Sequence, residues 1–241
     1  MRLSVQLYTL RDDLAKDVAG TLAKVRMIGF EYVELAGYYD LPATEWKTIL
    51  DDLELKVSGA HTGIEAFEND YAGTVADLKL LGVPYAIIPY LSDDRRSDYA
   101  GLGAQLDALG ARLSEDGLKL AYHNHDFEFV NDGLSTLYSS TAPENLQAEL
   151  DLAWVKIGGQ DPVEWITKMA GRLPLVHLKD YDPAKSPQWV PAGQGVMPFD
   201  AIIAAANAAG VEFGVVELDA YSGDPIDAVE DSYAFLSPKV G

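Results

Sequence analysis

Four short segments of this chain each run from apolar residues into side chains that can ligate a metal or move a proton: LKLAYHNHDFEF at Leu118–Phe129, QAELDLAW at Gln147–Trp154, LPLVHLKD at Leu173–Asp180 and FGVVELD at Phe213–Asp219. Apolar runs of this length read as buried β-strands, in which alternate residues share a face. Glu149 and Asp151 then point the same way, with Asp151 nearer the strand's end. His177 pairs with Lys179, and Glu217 with Asp219. His123 shares a face with His125, leaving Asn124 and Asp126 on the other and Glu128 in the loop beyond. Carboxylates and imidazoles at successive strand ends are costly to bury unless a cation pairs them, and a divalent metal is the simplest such partner.

The donor types narrow the ion. Carboxylate oxygens with imidazole and no thiolate suit Mn²⁺, Mg²⁺, Co²⁺ or Fe²⁺, with Zn²⁺ also admitted. Such a site polarises a carbonyl or hydroxyl and stabilises an enediolate, and a nearby carboxylate can then move the proton. Further candidates stand at other strand ends. His61 and Glu34 are placed to meet substrate hydroxyls, Arg11 to orient a substrate, and Trp154 and Trp189 to wall a pocket against a sugar face. Gly193-Gln194-Gly195 is too sparse a motif for a phosphate cradle.

The elements that must position these residues alternate along the whole chain. Strand-like runs fall near Leu3–Leu7, Tyr32–Leu35, Lys56–Ala60, Tyr85–Pro89, Leu118–His123, Gln147–Leu152, Pro174–Leu178 and Phe213–Leu218. Helical spacing is read over Val18–Ile28, Tyr71–Leu81, Tyr99–Leu113, Pro162–Ala170, Phe199–Ala209 and Pro225–Phe235. A glycine closes the preceding helix at Ile28-Gly29-Phe30, Leu81-Gly82-Val83, Asp116-Gly117-Leu118 and Ala209-Gly210-Val211. Eight βα units in 241 residues predict an α/β fold, a single-domain (β/α)8 or TIM barrel over residues 1–241. An open doubly wound sheet fits less well. No Gly-rich loop follows the first strand, and the polar residues are spread over at least four strand ends rather than one switch point. The longest irregular stretch, Tyr181–Pro198, is expected to lie over the barrel mouth.

Composition excludes several classes. The chain has no cysteine, so disulfides, thiolate sites and cysteine nucleophiles are out. A net charge of −20 works against nucleic acid and anionic membranes, which both need a basic surface. With no span-length apolar run and no secretory pattern at MRLSVQLYTL, a cytoplasmic protein is expected. The sequence leaves a homo-oligomer open.

The same segments resemble the xylose isomerase-like barrels of the sugar phosphate isomerase/epimerase family, which also include inosose dehydratase and endonuclease IV. The resemblance rests on Leu7-Tyr8-Thr9-Leu10-Arg11-Asp12, Gly29-Phe30-Glu31-Tyr32-Val33-Glu34-Leu35, Tyr122-His123-Asn124-His125-Asp126-Phe127-Glu128-Phe129, Leu150-Asp151 with Trp154 and Gly159-x-Asp161-Pro162, His177-Leu178-Lys179-Asp180 and Val216-Glu217-Leu218-Asp219. It implies one divalent metal held by an acid on each of the fifth and sixth strands, a His on the seventh and a Glu on the eighth. Asp151, His177 and Glu217 match. Where many members carry the first Glu this chain has His123, so either Glu128 supplies the acid or His123 binds the metal itself. The implied activity is isomerisation or epimerisation of a small polyhydroxylated carbonyl compound, with Glu217 and one of His123, His125 or Lys179 moving the proton. A dehydratase or keto-glycoside lyase is the alternative, and a non-catalytic sugar-binding barrel a further one. Four histidines in total are too few for the multi-zinc nucleases of the family.

Overall fold

The computed structural model describes residues 1–240 and is a closed parallel barrel. Its staves are β1 (Arg2–Gln6), β2 (Tyr32–Leu35), β3 (Lys56–His61), β4 (Tyr85–Ile88), β5 (Lys119–His123), β6 (Gln147–Asp151) and β7 (Leu175–His177). A hairpin of β8 (Asp180–Tyr181) and β9 (Trp189–Val190) interrupts the loop that follows, and β10 (Phe213–Val216) pairs with both β7 and β1 to close the ring. Every strand read from the sequence is present. The hairpin is new: Asp180 and Tyr181 continue directly from a buried strand, and two-residue strands carry no periodicity to read.

Each of the six helices expected from spacing is present, and Val18–Ile28 and Phe199–Ala209 keep their predicted bounds. The helix at Ile64–Leu80 is broken at Asp70, whose carboxylate caps a fresh start by accepting from the Gly73 N–H. The helices Ala43–Asp52 and Gly133–Ser139 were not among those read from spacing. At Gly29, Gly82, Gly117 and Gly210 the chain turns out of a helix with φ between +69° and +123°, a conformation that side-chain-bearing residues resist. Among the described residues, no helix is long and apolar enough to cross a membrane.

Two apolar regions position the site. The larger fills the space between strands and helices. The smaller plugs the barrel interior with Tyr85, Ile87, Ala121, Leu175, Phe213 and Val215. Strand alternation then stacks polar residues on that plug. Along β7 the inward face reads Leu175, His177 and then Lys179 beyond the strand's end; along β10 it reads Phe213, Val215, Glu217 and Asp219.

The segment after β8, expected over the mouth, is tied instead to the helix Pro225–Leu236 through Ala192 N and Ser232 Oγ (3.0 Å), and is organised by one buried carboxylate. Asp180 accepts from the backbone N–H groups of Tyr181 (2.9 Å), Gly193 (2.9 Å), Gly195 (2.9 Å) and Met197 (3.1 Å). The Gln194 amide donates to Pro191 O at 3.0 Å, and the Gly193 and Gly195 amides serve an internal anion. Asp180→Ala leaves these donors without their acceptor and is expected to lower unfolding free energy by about 3 kcal/mol in urea denaturation. A change within about 0.5 kcal/mol would show that the loop is held by other contacts.

Candidate functional site

Asp151 ends β6 and caps the helix Leu152–Ile157. Its Oδ1 accepts from Ala153 N (3.0 Å) and Trp154 N (2.9 Å), and Asn124 fixes its backbone through the Asp151 N–H (3.1 Å). With Oδ1 committed, Oδ2 faces the barrel axis, 3.9 Å from His123 Nε2 and 4.0 Å from His177 Nδ1. His177 joins the two layers of the cluster. Its Nδ1 meets Glu217 Oε2 at 2.7 Å, and its Nε2 meets Glu34 Oε1 at 2.9 Å and Glu149 Oε2 at 3.3 Å. Glu149 Oε2 is also contacted by His61 Nε2 (3.0 Å) and His123 Nδ1 (3.2 Å). Gln6 donates to Glu34 Oε1 at 2.7 Å, and Gly59 leaves the room that Glu34 needs: a Cβ there would lie 3.0 Å from Glu34 Oε2.

One ammonium compensates the upper carboxylates. Lys179 Nζ lies 2.9 Å from Asp151 Oδ2, 2.9 Å from Glu217 Oε2 and 2.6 Å from Asp219 Oδ1. Burial disfavours its charge, but Asp151, Asp219 and Glu217 outweigh that and hold its pKa well above the ordinary value. Glu217 is pushed up by burial and, more strongly, down by Lys179 and His177, so it is ionised. Burial works against the imidazolium of His177, yet Glu149, Glu217 and Glu34 hold its pKa well above 6.5. His123 is pushed down to about 4 by burial and by His177, and His125 to about 2 by burial and by His123. Both are neutral at pH 7. Glu34 is raised to about 7 by burial and by Glu149, and Asp219 to about 6 by burial against the opposing pull of Lys179.

The donor set accommodates a cation. Ligand atoms from His123, Asp151, His177 and Glu217 all lie within 4.8 Å of one another, and a second group of His61, His123, Glu149 and His177 meets the same limit. Ligands about 2.0–2.2 Å from a common ion stand at most about 4.4 Å apart, a few tenths of an ångström tighter. Four buried carboxylate oxygens, Glu34 Oε2, Glu149 Oε1, Asp151 Oδ2 and Asp219 Oδ2, have no hydrogen-bond partner; of these Asp151 Oδ2 has an ion-pair contact with Lys179. Orphan anionic oxygens among imidazoles are what a divalent ion satisfies. The residues present fit one.

Above them opens a cavity of about 590 Å³, whose walls include Tyr8, His61, Tyr90, His123, His125, Trp154, Glu217 and Asp219. Of the residues singled out from the sequence, Asp151, His177, Glu217, His123, His61, Glu34 and Lys179 converge, and His125 and Trp154 stand on the cavity wall. Four assignments need correction. Glu128 is not part of the cluster: its oxygens accept from Tyr122 Oη (2.7 Å) and His125 N (2.9 Å), so His123 is the fifth-strand residue facing the other ligands. Lys179 does not line the cavity and stays charged beneath it, which suits it to positioning rather than to proton transfer. Arg11 turns away, donating to Tyr8 O at 2.8 Å with its guanidinium over the Tyr8 ring. Trp189 packs on Trp154 without lining the cavity. Glu149 has a larger part than the sequence suggested, although its place on Asp151's face is legible there. Gln6 was missed; a polar residue closing an apolar strand was its signal.

Comparison with known proteins agrees with this architecture. Residues 22–239 match the family model described as the xylose isomerase-like TIM barrel, so the chain belongs to that family. An inosose dehydratase from Lacticaseibacillus casei is 26% identical over 98 residues, which is 38% of this chain and 30% of the relative's length. The solved structure of a sugar phosphate isomerase/epimerase from Parabacteroides distasonis superposes with a TM-score of 0.87 at 24% identity, covering 100% of this chain and 95% of that one. The IolI protein, solved with a bound zinc atom, superposes with a TM-score of 0.76 at 17% identity over 100% of this chain and 98% of its own.

Glu128 gives a stability test. Burial raises its pKa to about 7 against the hydrogen bonds from Tyr122 and His125, so the folded state holds its proton more tightly than the unfolded chain, where the value is 4.5. Its contribution is fully favourable below pH 4.5 and is lost as pH rises through about 7. The rise from 4.5 to about 7 makes the wild type lose on the order of 3 kcal/mol more than Glu128→Gln between pH 4.5 and pH 8. Parallel stability-versus-pH curves for the two proteins would contradict this.

Proposed function

We propose that the protein is a divalent-metal-dependent isomerase or epimerase of a small polyhydroxylated carbonyl compound. The observation that carries this reading is Glu217. It is an ionised carboxylate on the cavity wall, held through Oε2 by His177 and Lys179, and it belongs to the group of four candidate ligands. The ion would be held by His123, Asp151, His177 and Glu217; the zinc of the IolI protein supports a divalent metal in this family. When bound, the ion supplies a Lewis acid that polarises the substrate carbonyl and makes the adjoining C–H acidic.

The chain's own residues supply the proton movements. Glu217 accepts the proton from the carbon beside the carbonyl. His61 lines the cavity and is bonded to Glu149; burial disfavours its charge, but Glu149 and Glu34 raise its pKa, so it can protonate a substrate oxygen. Return of the proton from Glu217 to the neighbouring carbon, with His61 taking a proton from the hydroxyl on the original carbon, gives an isomer. An epimer needs a second proton donor on the opposite face of the original carbon, with His61 taking back the proton it gave to the oxygen. Lys179 stays protonated and keeps Asp151, Glu217 and Asp219 in place.

A dehydratase is the second reading, and Asp219 favours it. This carboxyl lines the cavity with a pKa raised to about 6 by burial, so part of it carries a proton near neutrality that can go to a leaving hydroxyl. The inosose dehydratase relative points the same way over the part it matches.

Incubation with ketoses and aldoses in deuterated buffer is expected to place deuterium at the carbon beside the carbonyl, and Glu217→Gln to slow this at least about a hundredfold. Loss of water without an isomer would select the second reading; no exchange with any such sugar would reject the first. Chelated protein reloaded with Mn²⁺ or Zn²⁺ is expected to bind one equivalent by metal analysis, and Asp151→Asn or His177→Asn to reduce it. Unchanged stoichiometry in both variants would place the ion elsewhere.

A further inference from the structure

The cavity's rim is built quite unlike its floor. Tyr8 and Tyr90 stand there 44% and 54% exposed, although both are large aromatic side chains. Each is backed by an arginine. The Arg11 guanidinium lies 4.2 Å from the Tyr8 ring centre, and that of Arg96 lies 4.8 Å from Tyr90 and 3.7 Å from Phe127. Both arginines are fastened to backbone: Arg11 to Tyr8 O at 2.8 Å, and Arg96 to Leu91 O at 3.0 and 2.8 Å. The Tyr90 ring also stands nearly perpendicular to His125 and Phe127, with ring centres 5.5 and 5.7 Å away. These rings are held in place while exposed, as suits stacking against the C–H face of a sugar or another ring. Trp154 adds a third aromatic wall, with a buried indole N–H that has no partner.

The charges on the cavity point in one direction. Among the described residues its lining contains no Lys or Arg, and its ionisable carboxyls are Glu217 and Asp219. Lys179 below is matched by three carboxylates, and the Gly193 and Gly195 amides are taken by Asp180. A phosphate needs cations or free amides; the guanidinium groups of Arg11 and Arg96 are committed to backbone carbonyls and ring faces, and the charged side chains lining the cavity are carboxylates. Volume adds a further constraint. Cavities of about 590 Å³ hold drug-sized ligands, whereas a single hexose has only about a dozen heavy atoms.

We propose that the substrate is an uncharged glycoside whose reacting ring carries a ketone, and not a sugar phosphate, with that ring on the charged floor and a second ring against Tyr8 and Tyr90. This rests on the reading of the site as a sugar-transforming one.

The test uses the full chain loaded with Mn²⁺ and calorimetric titration of free hexoses, their 6-phosphates and their phenyl glycosides in the gluco, galacto and manno series. In at least one series the phenyl glycoside is expected to bind about tenfold or more tighter than the hexose, with the 6-phosphate weaker than both. Tyr8→Ala and Tyr90→Ala are each expected to bring the glycoside-to-hexose ratio within about threefold of unity, and Tyr8→Phe and Tyr90→Phe to preserve it. A 6-phosphate that binds better than its hexose would overturn the proposal, as would a glycoside preference that survives both alanine variants. Hexoses that bind and exchange deuterium while glycosides bind no better would sink this inference alone. Absence of binding and exchange with every sugar class would sink the functional reading with it.

Discussion

The site depends on how five carboxylates are kept inside the end of a barrel. Glu34, Glu149, Asp151 and Glu217 are at most 5% exposed, and Asp219 sits beside them. Isolated, each would cost several kcal/mol to bury as an anion. Lys179 compensates three of them directly, and His177 bridges Glu217 to Glu34 and Glu149. The two cations differ in kind. An ammonium surrounded by three acids keeps its charge, whereas an imidazole can release its proton and offer a lone pair. The permanent cation lies under Glu217 and Asp219, and the adjustable groups lie where candidate ligand atoms converge. Burial with unequal compensation is also what separates the pKa values of neighbouring acids, leaving Glu217 ionised and Asp219 partly protonated near neutrality.

Strand geometry makes this arrangement possible. The inward-facing residues of a parallel barrel form layers, and each layer here has one chemical character. Leu175 and Phe213 belong to the apolar plug; His177, with Glu149 and Glu34, forms the next layer; Lys179 and Asp219 stand above it. The register places Glu149 beside both His123 and Leu175, and Gln6 beside Glu34. A one-residue slip on any stave would turn its polar residues outward among the helices, so the register is fixed by the plug as much as by the ladder.

Much of this was readable in the chain. Eight apolar runs separated by helical spacing give the barrel, and strand-end acids and histidines at i, i+2 positions give most of the cluster. Two kinds of feature were not. The first is competition for a side chain by nearby groups. Glu128 looks like a spare ligand in Tyr122–Phe129, but the chain turns so that Tyr122 Oη and the His125 N–H claim it. Arg11 looks like a substrate clamp, but a carbonyl three residues back and the Tyr8 ring claim it. The second is pairing between strands, side by side for Gln6 with Glu34 and across the barrel for Glu149 with His61, which spacing along one strand cannot reveal.

The same distinction separates what the floor and the rim of the cavity can encode. Floor residues are fixed by the strands and constrained by mutual charge: replacing one leaves its partners buried and uncompensated, at a cost of about 3–5 kcal/mol for a broken buried pair. Tyr8, on the 3-10 turn Leu7–Leu10, and Tyr90, in the loop after β4, project into solvent, and their loss uncovers no buried charge. Reaction chemistry is therefore tied to the stability of the barrel, while recognition of whatever lies beyond the reacting ring is nearly independent of it. A scaffold divided in this way can keep one proton-transfer centre and change its substrate by exchanging rim side chains.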